Sequence, residues 1–473
     1  MFRNHCGTVV GLTCLLLSAC QTFSPDGGME LVASIAGSEL NKDVAALRTP
    51  DEAEAAHVHV RALLRRTLTA DAAVQIALLN NRGLQAAYNE LVIAEAVMVE
   101  ASLPPSPTIA LSAISTPVEL DIERRIIVGI LALVTLEART EIARDRFRQA
   151  QLEAALETLR LATKVRRAYF RAVASRQLTD FLTQGVSAAE TTAELAKRLG
   201  ESGSMNKLDQ ARDQAFYAEM TAQLGTARQR AESERERLVR TMGLWGSEIS
   251  FRLPNALPAL PRRLRSLPAI ETEAVRRRVD FQIARIEADA LAKSYGLTSA
   301  TRFINLADVS AVSRTQRESS GTHGTGGGGE IELQVPIFDF GEARLRQAGE
   351  AYMQAVNRLA ENAVNVRSQA REAYRVHGSS YDIAKHYRDE VLPLRKIISD
   401  ETMLRFGAMQ IDVFSLLTEA RQRIAANIAA IEAQRDFWLA DANLRAAVVG
   451  GPALSETETQ HVGESLTGGR PEE

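Results

Sequence analysis

Apolar positions in this chain recur at steps of three and four over stretches longer than a globular core requires. Leu345, Ala348, Tyr352, Ala355, Leu359, Ala363, Val366, Ala370 and Ala373 form one such stripe. It sets a continuous seam along one helix face. Alanine dominates the seam, which lets a neighbouring helix approach closely. The pattern starts near Glu342 and runs to about Thr402, so it predicts about 60 residues and roughly 90 Å of helix at 1.5 Å per residue. Glu137 to about Leu199 predicts a counterpart, and shorter helices are expected over Leu68–Leu103 and Met205–Met242.

The same plan is written twice. The segment opening LTADAAVQIALL at Leu68 reappears as LPAIETEAVRRR at Leu267, about 200 residues on, a period too long for a solenoid and suited to an internal duplication. Arg166, Ala168 and Tyr169 match Arg371, Ala373 and Tyr374, and Leu238 matches Leu444. The expected organisation is a first repeat over 68–245, a strap over 246–266 and a second repeat over 267–450. Pro254, Pro258 and Pro261 keep the strap from being helical. Residues 20–67 have weak periodicity and are expected to wrap the outside. The polar stretch 451–473 has the composition of a disordered tail.

Period-two patterning appears between the helices. In EIELQVPIFDF, Glu330 to Phe340, Glu330, Glu332 and Gln334 alternate with Ile331, Leu333 and Val335, which reads as a strand with one wet and one apolar face. Ile126 to Leu136, IIVGILALVTL, is too short for a membrane helix and is expected to be a bilayer-crossing strand. Thr108–Ser115 and Thr301–Val312 are further expected strands, and the glycine-rich run Ser313 to Gly329 is expected to be an exposed loop. Four strands cannot close a pore in lipid without open edges, so a membrane reading requires several chains per barrel.

Composition sharpens this picture. The 473 residues are 24% charged and only 5% aromatic, a mixture suited to long packed helices. A net charge of −3 gives no basic footprint for nucleic acid. Near the start, Arg3 and His5 precede a short apolar run and then Leu17-Ser18-Ala19-Cys20. That arrangement resembles a bacterial lipoprotein signal, with 1–19 removed and Cys20 lipidated, for instance by palmitate, at the new amino terminus. Gln21 follows rather than Asp, which in such lipoproteins implies passage to the outer membrane. With Cys6 and Cys14 in the signal, no thiol remains for a disulfide or a cysteine-built zinc site.

Several motifs then converge. PIFDFGEAR (Pro336 to Arg344), the opening of the first repeat, SGSMNKLDQAR and FWLADANLRAAVVG resemble the outer-membrane efflux protein (TolC) family from about Leu68 to Gly450. Pro336 ends the ladder and Gly341 frees the turn into the long helix. The resemblance implies a homotrimer, mainly α-helical with a membrane β portion. In it a twelve-stranded barrel, four strands per protomer, continues into a periplasmic α-helical barrel. It also implies a periplasmic adaptor and an inner-membrane pump as partners, and no cofactor. Similarity to the heavy-metal-resistance branch extends the expected cargo from small molecules to metal ions.

Two departures stand out. Ser106-Pro107 replaces the family's usual Asn-Pro before the first strand. The family's paired acids at the closed tip are matched by Asp412 but then by Ser415. Asp412, Glu419 and Asp209 are the candidates for a pore constriction.

No enzyme chemistry emerges. His57-Val58-His59 has no third ligand placed by spacing, and the glycines at Gly326 to Gly329 follow no phosphate-loop pattern. A lipid-anchored periplasmic adaptor would need a compact cluster of short strands, which the sequence lacks. A structural coiled coil would leave the alternating strands unexplained.

Overall fold

The computed structural model describes residues 23–450 except 118, 265, 267, 319 and 320. The lipidation signal with Cys20 and the tail at 451–473 lie outside the described residues.

The elements run α1 (Met29–Leu40), α2 (Pro50–Leu64), α3 (Ala70–Asn80), α4 (Arg82–Ser102), β1 (Thr108–Ser115), β2 (Glu119–Gly129), a short α5 (Ile130–Val134), α6 (Leu136–Glu201) and α7 (Lys207–Met242). Past the strap follow α8 (Ile270–Arg277), α9 (Val279–Ala300), β3 (Leu306–Glu318), β4 (His323–Gln334), α10 (Glu342–His386), α11 (Leu392–Gly407) and α12 (Val413–Arg445). From α3 onward the second half repeats the order of the first. A π-turn at Tyr387–Val391 joins α10 to α11 without a break. Pro393 has no N–H to return to the preceding turn, which accounts for the locally widened hydrogen-bonding there.

Two compact units share the chain. One comprises the described residues up to Glu30, Asn89–Glu153 and Gln282–Asn362. The other comprises Leu31–Tyr88, Ala154–Phe281 and the described residues from Ala363 onward. Each draws on both sequence repeats, so the duplication does not divide the chain into two domains.

The all-helical unit shows why its elements stop where they do. The helix expected over Leu68–Leu103 is interrupted at Asn81, whose backbone is extended. Its side chain replaces the lost helix bonds: Oδ1 accepts from the Leu84 N–H at 3.1 Å and Nδ2 donates to the Thr241 carbonyl at 3.0 Å. Asn80 Nδ2 donates to the Gly243 carbonyl at 2.8 Å. At Gly243, φ is +73°, and a Cβ would lie 2.9 Å from the Asn80 carbonyl oxygen, so only glycine seats α7 against this break. The second repeat breaks likewise at Arg278. That buried guanidinium is held by Asp280 on two nitrogens and donates to Gln369 at 2.7 Å.

Residues 23–66, whose periodicity is weak, hold two helices. A Thr49/Glu52 capping box with Pro50 starts α2. The stretch between α1 and α2 is clamped by two buried amides. Gln75 exchanges hydrogen bonds with Asp43, and Gln85 bonds the backbone of Ala45 and Leu47. The proline-rich strap is extended apart from a single 3-10 turn. Arg176 bonds the Leu253 carbonyl, Trp438 Nε1 and Gln434 Nε2 bond that of Pro258, and Tyr381 bonds that of Pro261.

The strands differ most from expectation. Ile126–Leu136 is not one strand, because β2 begins at Glu119 and ends at Gly129, and Ile130–Val134 is helical. Its polar residues, Glu119 to Arg125, pair in register with β3, so the ladder rather than the apolar run sets its position. Most of the run Ser313 to Gly329 is strand rather than loop: Ser313–Glu318 belongs to β3 and His323–Gly329 to β4. It forms most of a β3–β4 hairpin, with Gly326 to Gly329 paired against Arg314 to Ala311. Backbone ladder bonds need no side chain, so glycines opposite a well-formed strand stay paired.

Candidate functional site: a two-faced sheet and two capped turns

The sheet is antiparallel throughout, in the order β1-β2-β3-β4. Its register carries no slip, so alternate residues fall strictly on two faces. One face holds Glu119, Asp121, Glu123 and Arg125 of β2, Asp308, Arg314 and Glu318 of β3, and Glu330 and Glu332 of β4. The opposite face holds Ile109 and Leu111 of β1, Ile122, Arg124, Ile126 and Val128 of β2, Val309 of β3, and Ile331 and Leu333 of β4. Every carboxylate of the strands is thus on one side. Ile109, Leu111, Ile331 and Leu333 on the other are exposed in the single chain. Ion pairs tie the polar face together: Arg314 Nε lies 2.8 Å from Asp121, and Arg125 lies 3.0 Å from Glu330 and 2.9 Å from Glu123. Among the described residues β1 and β4 each pair on one side only.

At the end of the sheet nearest α10 the junction predicted from PIFDFGEAR is in place. The ladder stops at Gln334, just before Pro336. Gly341 has φ +72°, and a Cβ there would fall 2.2 Å from the Arg302 carbonyl oxygen. Phe303, Phe338 and Phe340 are exposed beside this junction.

In the other unit, α6–α7 and α11–α12 close through two turns built alike. Each ends in a left-handed residue, Gly203 (φ +75°) or Met409 (φ +58°). In each, an N–H reaches back to an upstream carbonyl, Ser204 to Leu199 at 2.8 Å and Gln410 to Arg405 at 2.9 Å, as in a Schellman end. Three residues past each left-handed position comes a helix cap. Asn206 accepts from the Asp209 N–H at 2.8 Å, and Asp412 accepts from the Ser415 N–H at 2.9 Å. The turns are therefore one motif with the acid moved: Asn206 and Asp209 in the first repeat, Asp412 and Ser415 in the second.

Of the candidate residues, Asp412 is exposed and caps α12, and the Ser415 hydroxyl and N–H hold its carboxyl below the usual carboxylate range. Asp209 accepts from Asn206 Nδ2 at 2.7 Å and pairs with Arg212 at 3.1 Å. The Arg212 guanidinium also sits 4.9 Å from the Phe414 ring, so it joins the two turns. Glu419 is elsewhere: only 8% exposed, it is paired with Arg395 at 3.2 Å and its other oxygen has no partner. The sequence reading passed over Asp213. It is 2% exposed and neither carboxylate oxygen has a hydrogen bond. Burial, and then the neighbouring Asp209, push its carboxyl up. The signal was present, since Asp213 continues the buried stripe Phe216, Met220, Leu224 and Ala227. His57 lies 3.9 Å from Glu248, and among the described residues no cluster of three potential metal ligands forms. No described helix is long and apolar enough to cross a membrane.

No protein-family model and no curated protein matches the chain. Solved structures do match. The outer membrane protein VceC of Vibrio cholerae superimposes with a TM-score of 0.68 at 16% identity, over 81% of this chain and 97% of its own. The open state of the MtrE outer membrane channel of Neisseria gonorrhoeae gives 0.65 at 17% identity, over 80% and 89%. CusC, described for its folding and transmembrane channel formation, gives 0.67 at 16%, over 81% and 92%. The chain has the fold of these outer-membrane channels.

Proposed function

We propose that this chain is the outer-membrane channel of a tripartite efflux system, passing small molecules or metal ions to the exterior from an inner-membrane pump through a periplasmic adaptor. The observation that carries this reading is the sheet. Its carboxylates and their ion pairs all lie on one face, its exposed apolar residues gather mostly on the other, and among the described residues both its edges are open. A soluble protein would cover such a face, whereas a membrane barrel turns it to lipid and its polar face to a wet lumen. Lipid tolerates no open edge, so neighbouring copies pair β1 with β4. Three copies of four strands give a twelve-stranded barrel, the number implied by the family resemblance, while the long helices supply the periplasmic duct. Lipid on Cys20 adds an anchor. At the turns, three copies of Asp412 and Asp209 form an acidic ring that favours cations.

The test is reconstitution of the purified full chain into planar bilayers. Discrete conductance steps from a trimer are expected. A trimer-free preparation that inserts without conductance would refute the proposal.

A further inference from the structure

The lipid-facing side of the sheet is not uniformly apolar. It carries Arg124, Arg317 and His323, all exposed, and no carboxylate. The acids of the strands are all on the opposite face, where Arg125 and Arg314 are neutralised by Glu330, Glu123 and Asp121. The basic groups of the apolar face have no such partner on that face. Arg124 Nη1 donates to the Thr315 hydroxyl at 3.2 Å, which steers the side chain along the sheet toward the hairpin ends. Thr315 is two residues from Arg317, and Arg317 lies directly opposite His323.

Depth along the barrel wall places these residues around one boundary. In the channel reading, Phe303, Phe338 and Phe340 form the aromatic girdle that marks one edge of the apolar band, where Val335 leaves the sheet. Arg124 shares a row with Ser313 and Gly327. On β4 that row lies about 20 Å above Val335, taking about 3.3 Å per residue and a tilt near 40°, and because a tilted row is inclined, Arg124 two strands away lies within about 6 Å of that height. The row of Arg317 and His323 lies about 30 Å above Val335 on the same reckoning. An apolar band about 25 Å tall ends between the two rows. Arg124 therefore starts in the upper half of the band or at its edge, from which its long side chain reaches the polar boundary, and Arg317 and His323 stand beyond it. A guanidinium held at that depth is costly unless an anion meets it, and guanidinium matches phosphate bidentately.

Building on the channel reading, we propose that Arg124 and Arg317, with His323 beside them, form a binding site for a phosphate-bearing lipid headgroup of the outer leaflet. Gly327 and Gly329 on β4 add no side chain to the wall, leaving room beside Arg124 for the lipid.

The test uses the full chain purified as its trimer in detergent and titrated with diphosphoryl lipid A, with the same lipid after phosphatase treatment, and with inorganic phosphate as competitor. Binding is read by native mass spectrometry. At least a tenfold preference for the phosphorylated lipid is expected, lost in Arg124→Gln/Arg317→Gln, weakened by raised salt, and retained in Arg125→Gln on the other face. Free phosphate should compete only weakly, because the acyl chains share in binding. Equal affinity for both lipids in the unaltered chain would overturn the inference, as would full retention in the double variant. Effective competition by phosphate alone would overturn the lipid assignment. A chain that forms conducting trimers yet fails these tests leaves the channel standing, whereas one that never enters a bilayer overturns both.

Discussion

At the scale of single residues, cap and charge coincide at Asp412 and separate cleanly by substitution. Asparagine caps as well as aspartate, so Asp412→Asn keeps the hydrogen bond to Ser415 while removing the charge. The acidic-ring proposal predicts an intact trimer with reduced cation preference, most visible at low ionic strength because the Debye length is about 10 Å at 0.1 M and about 3 Å at 1 M. Single-channel reversal potentials decide it, and an unaltered preference would remove Asp412 from the constriction. Asp213 makes the opposite kind of prediction. Its folded-state pKa is raised, so the folded chain binds the proton more tightly than the unfolded one. Stability gained from this group therefore rises as pH falls through the raised value and levels off below the ordinary carboxylate range. Thermal melts from pH 8 to pH 4 should show this gain in the unaltered chain relative to Asp213→Asn. Parallel curves would contradict it. Tyr88, buried with its phenol raised to about 12, donates to Thr158 at 2.9 Å. Tyr88→Phe should cost about 1 kcal/mol in denaturant unfolding.

At the scale of elements, the helices were legible because period and length are local properties. The seam from Leu345 to Ala373 is buried or half-buried throughout, and α6 runs within two residues of its expected ends. The breaks at Asn81 and Arg278 were not legible, since each depends on partners far along the chain, Thr241 for one and Gln369 for the other. Strand limits failed for a related reason. Pairing decides them, and the glycines of β4 carry no hydrophobic signal while the apolar residues after Gly129 carry a false one. The PIFDFGEAR junction was readable because Pro336 and Gly341 act through their own backbones. Gly341→Ala combines a left-handed φ, about 1–2 kcal/mol for an alanine, with a Cβ overlapping the Arg302 carbonyl. It should lower trimer yield severely. Recovery of normal, heat-stable trimer would show that the junction can relax. Of the candidate constriction, Asp412 was picked out by its match to the family's tip acid, while its cap, the buried setting of Glu419 and the orphaned Asp213 needed the structure.

At the scale of the whole molecule, the proposed channel answers one physical problem: a four-stranded sheet with an exposed apolar face and two edges unpaired among the described residues would be completed by other copies of itself. The proposed lipidation of Cys20 would be a separate contribution. Cys20→Ser should abolish acylation, read by mass spectrometry of the amino-terminal peptide, while leaving conductance intact, because the strands supply their own membrane affinity. Disulfide cross-linking reads the pairing of β1 with β4 between copies. Gly328→Cys on β4 is combined in turn with single cysteines along Thr108–Ser115 of β1, in a chain whose Cys20 is acylated or replaced. The account predicts that pairs in register yield covalent dimers and trimers under oxidation, with nothing larger. No cross-link from any position, or a ladder extending beyond three copies, would contradict it.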